Sequence, residues 1–287
     1  MKGTKWQIFF LLAIIGGSSF ILIKRSLEGL SPIELGGVRV LAAALVILMF
    51  NVKKIFTIPK EKFKYILVAA LCGVFFPAFL FAYAQTQIDS IVSAIINATT
   101  PLLTFVIGAL CFGLISQRRQ FFGVIIGFLG CALLIFEGAN LQAEQNYWYS
   151  IYAIIACICY AININWVKKY LSDISPMQIA VGSFTILFFL SIGVLVTTDL
   201  PNRISEPHTQ ETLMYAVLLG ATSTGLGNYL FYKLIQISSP VFASSTTYLL
   251  PLVAFVWGVL DGEKVFLMQL VGAVIILIGV RYSSRKN

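Results

Sequence analysis

Residues 90–112 read SIVSAIINATTPLLTFVIGALCF, and this stretch restricts the available folds more than any other. About 20 apolar residues at 1.5 Å rise cross the hydrocarbon layer of a bilayer, so the segment is long enough to span one. Its middle nevertheless carries Asn97, Thr99, Thr100 and Pro101. Proline has no backbone N–H, so in a helix the Asn97 carbonyl loses its partner four residues on. An unpaired carbonyl in hydrocarbon is costly, and such backbone must face protein or water. The pattern recurs in 240–260, where Ser244, Ser245, Thr246 and Thr247 precede Pro251, which releases the Thr247 carbonyl. Phe81 and Pro101 are 20 residues apart, as are Phe231 and Pro251. Two polar spans interrupted at Pro101 and Pro251 predict a polar cavity near the membrane midplane, with Asn97, Thr100 and Thr247 as candidate substrate contacts. The alternative is that small residues and a proline merely let helices approach closely.

The rest of the chain has the same character. Of its 287 residues, 59% are hydrophobic and 11% charged, with mean hydropathy +0.90. A soluble domain carries about 25% charged residues, so this composition belongs to an integral membrane protein. Cys72, Cys111, Cys131, Cys157 and Cys159 all sit in apolar runs without a CxxC pair, so neither a disulfide framework nor a metal site is indicated. No cofactor motif appears, and without a GxxxxGK[ST] loop the chain itself hydrolyses no ATP. The formal charge of +8 does not indicate nucleic acid, because the cations cluster in particular loops, as they do in membrane proteins.

Ten candidate spans emerge at 6–23, 32–50, 65–84, 90–112, 121–136, 148–167, 176–197, 212–234, 240–260 and 265–280. The first, fifth and tenth are short, so half-embedding is an alternative for one of them. The first resembles a signal peptide but offers no A-x-A cleavage site, and it reads as a retained helix. With the amino terminus placed in the cytoplasm, the inner segments hold 15 Lys and Arg and the outer segments 4. That asymmetry predicts cytoplasmic termini and an even number of spans in the plasma (inner) membrane.

The second half repeats the first. Ser31-Pro32 matches Ser175-Pro176, and Lys24 matches Lys168, both 144 residues on. Pro101 matches Pro251 at 150, while Gln120, Gly123 and Gly130 match Gln269, Gly272 and Gly279 at 149. The expected fold is therefore an all-α membrane protein of ten transmembrane helices, in two five-helix repeats covering 1–140 and 141–287. Five is odd, so the repeats enter the bilayer in opposite directions, the arrangement that supports alternating access.

Arg39 lies about 10 Å along its helix from Pro32. A cation at that depth costs at least ~2.5–3.5 kcal/mol on insertion scales, so it snorkels or faces a wet cavity, with Glu34 the expected neighbour. Arg39, Glu34 and Glu263 are the charged candidates for gating or coupling, the simpler role for Glu263 being a carboxylate at a helix N-terminus. Asn163 and Asn165 are two apart, so at most one faces a cavity, and Asn163 is the deeper. Asn228 lies in the most polar span, with Thr222, Ser223 and Thr224. Tyr83, Tyr160, Tyr229, Tyr232 and Tyr248 are further lining candidates, Tyr83 and Tyr248 foremost, although tyrosine also favours membrane interfaces. The glycines of spans five and ten read as close-packing sites.

Taken in order, these residues resemble the EamA-type family of the drug/metabolite transporter superfamily. The resemblance rests on Gly17-Ser18-Ser19-Phe20 with Lys24, Ser31-Pro32 with Arg39, Phe81-Ala82-Tyr83-Ala84, Pro101, and Gly123 through Gly130. The second copy adds Ser175-Pro176, Tyr229-Leu230-Phe231-Tyr232, Pro251, Gly262-Glu263, and Gly272 through Gly279. It implies a ten-helix inverted-repeat transporter, commonly an exporter of amino acids, related metabolites or drugs, whose cavity is lined by the first, third and fourth helices of each repeat. The Gly-Glu pair that opens the fifth helix in the second copy is Phe112-Gly113 in the first, which argues against a pair of symmetric glutamates.

The expected function is a secondary transporter, not an enzyme, exporting amino acids or similar small metabolites by alternating access. Its partners are a small-molecule substrate and the lipid bilayer, with proton coupling open and the oligomeric state unspecified. A nucleotide-sugar or sugar-phosphate carrier is the alternative within transport, and it would want several cations facing the cavity. An integral-membrane enzyme is the alternative outside transport, and the chain lacks the clustered acids, metal ligands or nucleophile and base that it would need. The charge asymmetry predicts that a reporter fused after Asn287 is active only as a cytoplasmic fusion; activity confined to a periplasmic reporter would contradict it.

Overall fold

The computed structural model describes residues 2–113, 118–138 and 146–260, together with single positions between 271 and 282. Among these residues every regular element is helical. Seven helical stretches are long and apolar enough to cross a membrane: Thr4–Ser26, Pro32–Thr57, Lys60–Ala84, Val92–Phe112, Ser150–Tyr170, Pro176–Val196 and Pro240–Trp257, with Phe121–Gly130 as a shorter apolar helix. The expected eighth span is also helical throughout, from Pro207 to Ile237, but its middle is polar. The expected tenth span falls largely outside the described residues, and Glu263 lies wholly outside them.

Local chemistry sets the element boundaries. Helix α1 is Lys2–Ser26 and α2 is Pro32–Asn51. Ser31 caps α2 by accepting from the Glu34 N–H at 3.3 Å, while the Glu34 carboxylate accepts from the Ser31 N–H at 2.8 Å. The pair satisfies two amide groups that a helix start leaves orphaned, and Pro32 needs no partner there. The third span joins α3 (Phe63–Ala70) and α4 (Phe76–Ala84) through a wide π turn at Leu71–Phe75, which absorbs the hydrogen bond that Pro77 cannot make. Residues 90–112 are broken as expected, into α5 (Ser90–Asn97) and α6 (Thr100–Phe112), followed by α7 (Arg118–Gly138).

The second half repeats these devices. Helix α8 is Ser150–Tyr170, and α9 (Pro176–Val196) opens with Ser175 and Gln178 exchanging the same two hydrogen bonds as Ser31 and Glu34. After the short α10 (Leu200–Arg203), α11 (Pro207–Leu219) and α12 (Gly227–Ile237) are joined by a π turn at Gly220–Leu226. Helix α13 (Pro240–Ser244) passes through a tight 3-10 turn, Ser245–Leu249, into α14 (Leu250–Leu260). The π turns begin 149 residues apart.

The halves interleave rather than sit side by side. Helix α2 packs along α9, α8 along α4 and α6, and α1 along α11, α12 and α14. Large apolar side chains such as Leu110, Phe189 and Val196 are 80%, 69% and 74% exposed, an outer surface suited to lipid. Two glycine contacts set the closest crossings. A Cβ on Gly279 would lie 2.8 Å from the Gly123 carbonyl, which fits the expected close packing of spans five and ten. A Cβ on Gly220 would strike the Arg39 carbonyl and lie 2.7 Å from Ala42, so the second π turn can rest on α2 only with glycine there. Overpacking of this kind costs about 1–3 kcal/mol, so Gly220→Ala should lower the Tm of the detergent-purified protein by several degrees. An unchanged Tm would mean that the two elements do not touch there.

Candidate functional site

The breaks in the helices meet at a cavity of about 130 Å3 in the middle of the bundle. Helix α1 lines it from Leu12 to Ile23, a length of about 16 Å at 1.5 Å per residue. Arg39 enters from α2, Phe81 from α4, Asn97 and Thr100 from the α5–α6 break, and Tyr160 and Ile164 from α8. Ser223, Gly227, Asn228 and Phe231 complete it from the second π turn and α12, with Thr246, Thr247 and Leu250 from the 3-10 break. Of the expected contacts, Asn97, Thr100, Asn228, Thr247 and Arg39 therefore converge on one space.

Three do not. Tyr83 is half-buried away from the cavity, its ring 5.8 Å from that of Tyr152. Tyr248 is fully buried and donates its hydroxyl to the Val124 carbonyl at 2.8 Å, with its ring against Gly127. Asn163 is buried against Gly73 in the first π turn, and its Oδ1 accepts no hydrogen bond. Its neighbour Asn165 faces elsewhere, as their spacing required, and donates to the carbonyls of Thr104 and Ala161 at 3.0 and 2.9 Å.

The electrostatics differ from expectation at Glu34. This carboxylate binds Arg203 through both oxygens at 2.8 and 2.9 Å, in addition to capping α2, so it is committed to the end of the bundle. Arg39 is instead held by Thr224, whose hydroxyl accepts from Nε at 3.1 Å. Arg39 is only 7% exposed, and no carboxylate pairs with it among the described residues. Tyr160 lines the same cavity.

Of the two carbonyls expected to be open, that of Asn97 takes no hydrogen bond among the described residues, while that of Thr247 is repaired. Thr247 O accepts from the Leu250 N–H within the 3-10 turn. Ile96 O takes the Thr99 N–H at 2.9 Å, the Thr99 hydroxyl at 2.7 Å and the Cys157 thiol at 3.4 Å. Ser244, Ser245, Thr246 and Thr247 each donate back to a carbonyl three residues earlier, the local bonding by which hydroxyl side chains bend helices.

The remaining cavity residues were harder to read. Ser19, Phe20 and Phe81 stood within the motifs that carried the resemblance, without being singled out as lining. One signal finds several of them: the offsets of 144 and 150 pair Gly16 with Tyr160, Phe20 with Ile164, Phe81 with Phe231, Asn97 with Thr247 and Thr100 with Leu250, and all ten line the cavity.

Aromatic rings cluster at the end of the bundle where α1 begins. The Phe9 ring lies 5.1 Å from that of Phe242 and Trp6 lies 5.4 Å from the same ring. Lys168 ties α8 to the end of α12 by donating to the carbonyls of Ile235, Gln236 and Ser238 at 3.1, 3.2 and 2.7 Å. Gln236 returns two hydrogen bonds to Leu171 and Ile174. Lys62 also bridges to Asp173 at 2.6 Å and holds that carboxyl below its usual range. At the opposite end Lys24, the counterpart of Lys168, is exposed and makes no such bonds among the described residues.

A helical bundle with an apolar outer surface and a partly polar cavity between broken helices has the construction of a membrane transporter. The chain belongs to the EamA-like transporter family, whose model matches residues 4–136 and again residues 147–285. It is a transporter and not an enzyme. It is similar to the uncharacterized inner membrane transporter YedA of Escherichia coli K12, at 28% identity over 88% of this chain and 82% of that protein. It is also similar to the probable amino-acid metabolite efflux pump of Salmonella typhimurium LT2, at 25% identity over 94% and 91% of the two chains. A protein of known crystal structure superposes with TM-score 0.72 over 98% of this chain and 96% of its own; at 14% identity it bears on the fold alone.

The placement of Tyr248 yields a test. Tyr248→Phe should cost about 1 kcal/mol of stability by removing the hydroxyl's bond to the Val124 carbonyl, while transport by the protein that folds stays intact. Loss of transport at unchanged Tm would return Tyr248 to the site.

Proposed function

We propose that this protein is a secondary transporter of the inner membrane that exports amino acids or similar small metabolites by alternating access. The observation that carries the reading is the pairing of ten cavity-lining residues by the repeat offsets, because a pseudo-two-fold axis through a shared site requires it. Ten membrane helices in two inverted repeats, 1–140 and 141–287, with both termini in the cytoplasm, account for that pairing. The matched π turns, the breaks ahead of Pro101 and Pro251, and the twin capping boxes at Ser31 and Ser175 support it.

In this reading the end that holds Phe9, Phe242 and Lys168 is cytoplasmic and closed, and the arrangement is outward-facing. Rocking of the interleaved halves would release Lys168 and let Lys24 take up the equivalent carbonyls at the end of α4. Asn97, Thr100, Asn228 and Thr247 contact the substrate, and Phe20, Phe81, Tyr160 and Phe231 enclose its apolar body. The relative named as a probable amino-acid metabolite efflux pump supports export of this substrate class. Arg39 is the one cation among the described lining residues, which disfavours a nucleotide-sugar or sugar-phosphate carrier. No acid lines the cavity among those residues, so proton coupling has no carrier there and facilitated diffusion is the simpler mode.

A metabolite-resistance screen in overexpressing cells, followed by flux in proteoliposomes with and without a pH gradient, tests the function. Asn97→Leu and Thr247→Val should each lower the initial rate about tenfold or more, as loss of a substrate hydrogen bond to a buried site does, with membrane insertion intact. Wild-type flux in both variants would remove these residues from the site.

A further inference from the structure

The charge of the cavity bears on the substrate's charge. Arg39 is 7% exposed, and its one hydrogen bond among the described residues is from Nε to Thr224. The two Nη groups, which form the outer fork of the guanidinium, have no protein acceptor among those residues. The acid on its own helix, Glu34, is already bound by Arg203 and by the Ser31 N–H. Lining the same cavity as Arg39, the Tyr160 hydroxyl likewise has no partner among the described residues.

The acceptors in the cavity are neutral oxygens. The hydroxyls of Thr246 and Thr247 donate to backbone carbonyls and Ser19 donates to Gly16 at 2.5 Å, which leaves each with uncharged lone pairs only. The Asn97 Oδ1 already takes the Thr100 hydroxyl at 3.1 Å. The carbonyls of Ile96 and Thr247 are occupied, and that of Asn97, without a partner among the described residues, is again a neutral acceptor. No carboxylate is present to balance a substrate cation among the described lining residues. A buried cation with no counter-charge beside it is unfavourable until an anion joins it, and a guanidinium fork matches the two oxygens of a carboxylate. The rings add shape: Phe81 lies 6.0 Å from both Phe20 and Tyr160, forming a wall for an apolar or aromatic body.

We infer that the substrate is a net monoanion, a small carboxylate with an apolar or aromatic body whose amino group is absent or blocked. The Nη groups of Arg39 hold the carboxylate with the Tyr160 hydroxyl, and Thr224 fixes the orientation of the guanidinium. The inference rests on the transport reading and narrows its substrate class from amino acids in general to their uncharged-nitrogen derivatives.

Three probes with the same ring and different charge test it: N-acetyl-L-phenylalanine, L-phenylalanine and L-phenylalaninamide. Binding is measured on the full chain in nanodiscs, and counterflow in proteoliposomes. The acetylated anion should bind at least about tenfold more tightly than phenylalanine, as expected for a charge-assisted hydrogen-bonded pair, and the amide should be weakest. Arg39→Gln should abolish the preference and Arg39→Lys should keep part of it. Tyr160→Phe retains the ring and removes only the unpartnered hydroxyl, so it should lower anion affinity about threefold at unchanged Tm; it serves if Arg39→Gln fails to fold. Equal binding of the three probes, tighter binding of phenylalanine or the amide, or no binding of the acetylated anion would overturn the inference. Counterflow of phenylalanine or any other solute by the same vesicles would show that transport survives that failure.

Discussion

Lipid offers a polypeptide no hydrogen bonds, so each interruption of a helix at membrane depth has to be repaired by the protein itself. This chain interrupts its helices repeatedly and repairs most of the breaks with its own side chains and neighbouring amides, leaving the Asn97 carbonyl to the cavity that Asn97 lines. The break ahead of Pro251 tightens into a 3-10 turn whose Leu250 N–H serves the Thr247 carbonyl, while four consecutive hydroxyls return to the preceding backbone. At the break ahead of Pro101, the Thr99 hydroxyl and the Cys157 thiol share the Ile96 carbonyl. Two π turns widen the helices between these breaks without leaving them open. The outcome is a bundle bent around a space rather than packed through its centre.

Once the backbone is satisfied, what faces that space is decided by side chains. Arg39 stands out because the repeat does not duplicate it: 144 residues on, the position is Ser183. The glycine contact between Gly220 and α2 brings Thr224 within reach of its Nε, so a crossing set by the absence of a side chain also orients the charge. The two halves thus supply a shared, nearly symmetric wall of Phe81 and Phe231, Asn97 and Thr247, and one half adds an electrostatic bias. Away from that wall, rings cluster at the start of α1 and Lys168 gathers the carbonyls at the end of α12.

Much of this was legible before any coordinates, because prolines, polar residues in apolar runs and repeat offsets are local signals. The broken helices at Pro101 and Pro251 and the cavity placement of Asn97, Thr100, Asn228, Thr247 and Arg39 were all readable that way. Partners distant in sequence were not. Nothing near Glu34 announces Arg203, which lies 169 residues away, and nothing near Tyr248 announces the Val124 carbonyl, 124 residues before it. Asn163 looked available because polarity is visible in a sequence, whereas the helix face is decided by the neighbour that the first π turn brings to it. The released carbonyls of Asn97 and Thr247 were anticipated, but not the repair of the second, since a 3-10 turn depends on torsions rather than composition.

The central claim is that water and substrate reach the middle of the bundle along one face of α1, while the opposite face of the same helix meets lipid. Single cysteines placed at Ser19, Thr247 and Ile14 in a background lacking the five native cysteines test it with a water-soluble thiol reagent in intact membranes. Ser19 and Thr247 line the cavity, and Ile14 is 57% exposed on the outside. The first two should be labelled rapidly and Ile14 slowly. Labelling of Ile14 with Ser19 and Thr247 protected would contradict the account.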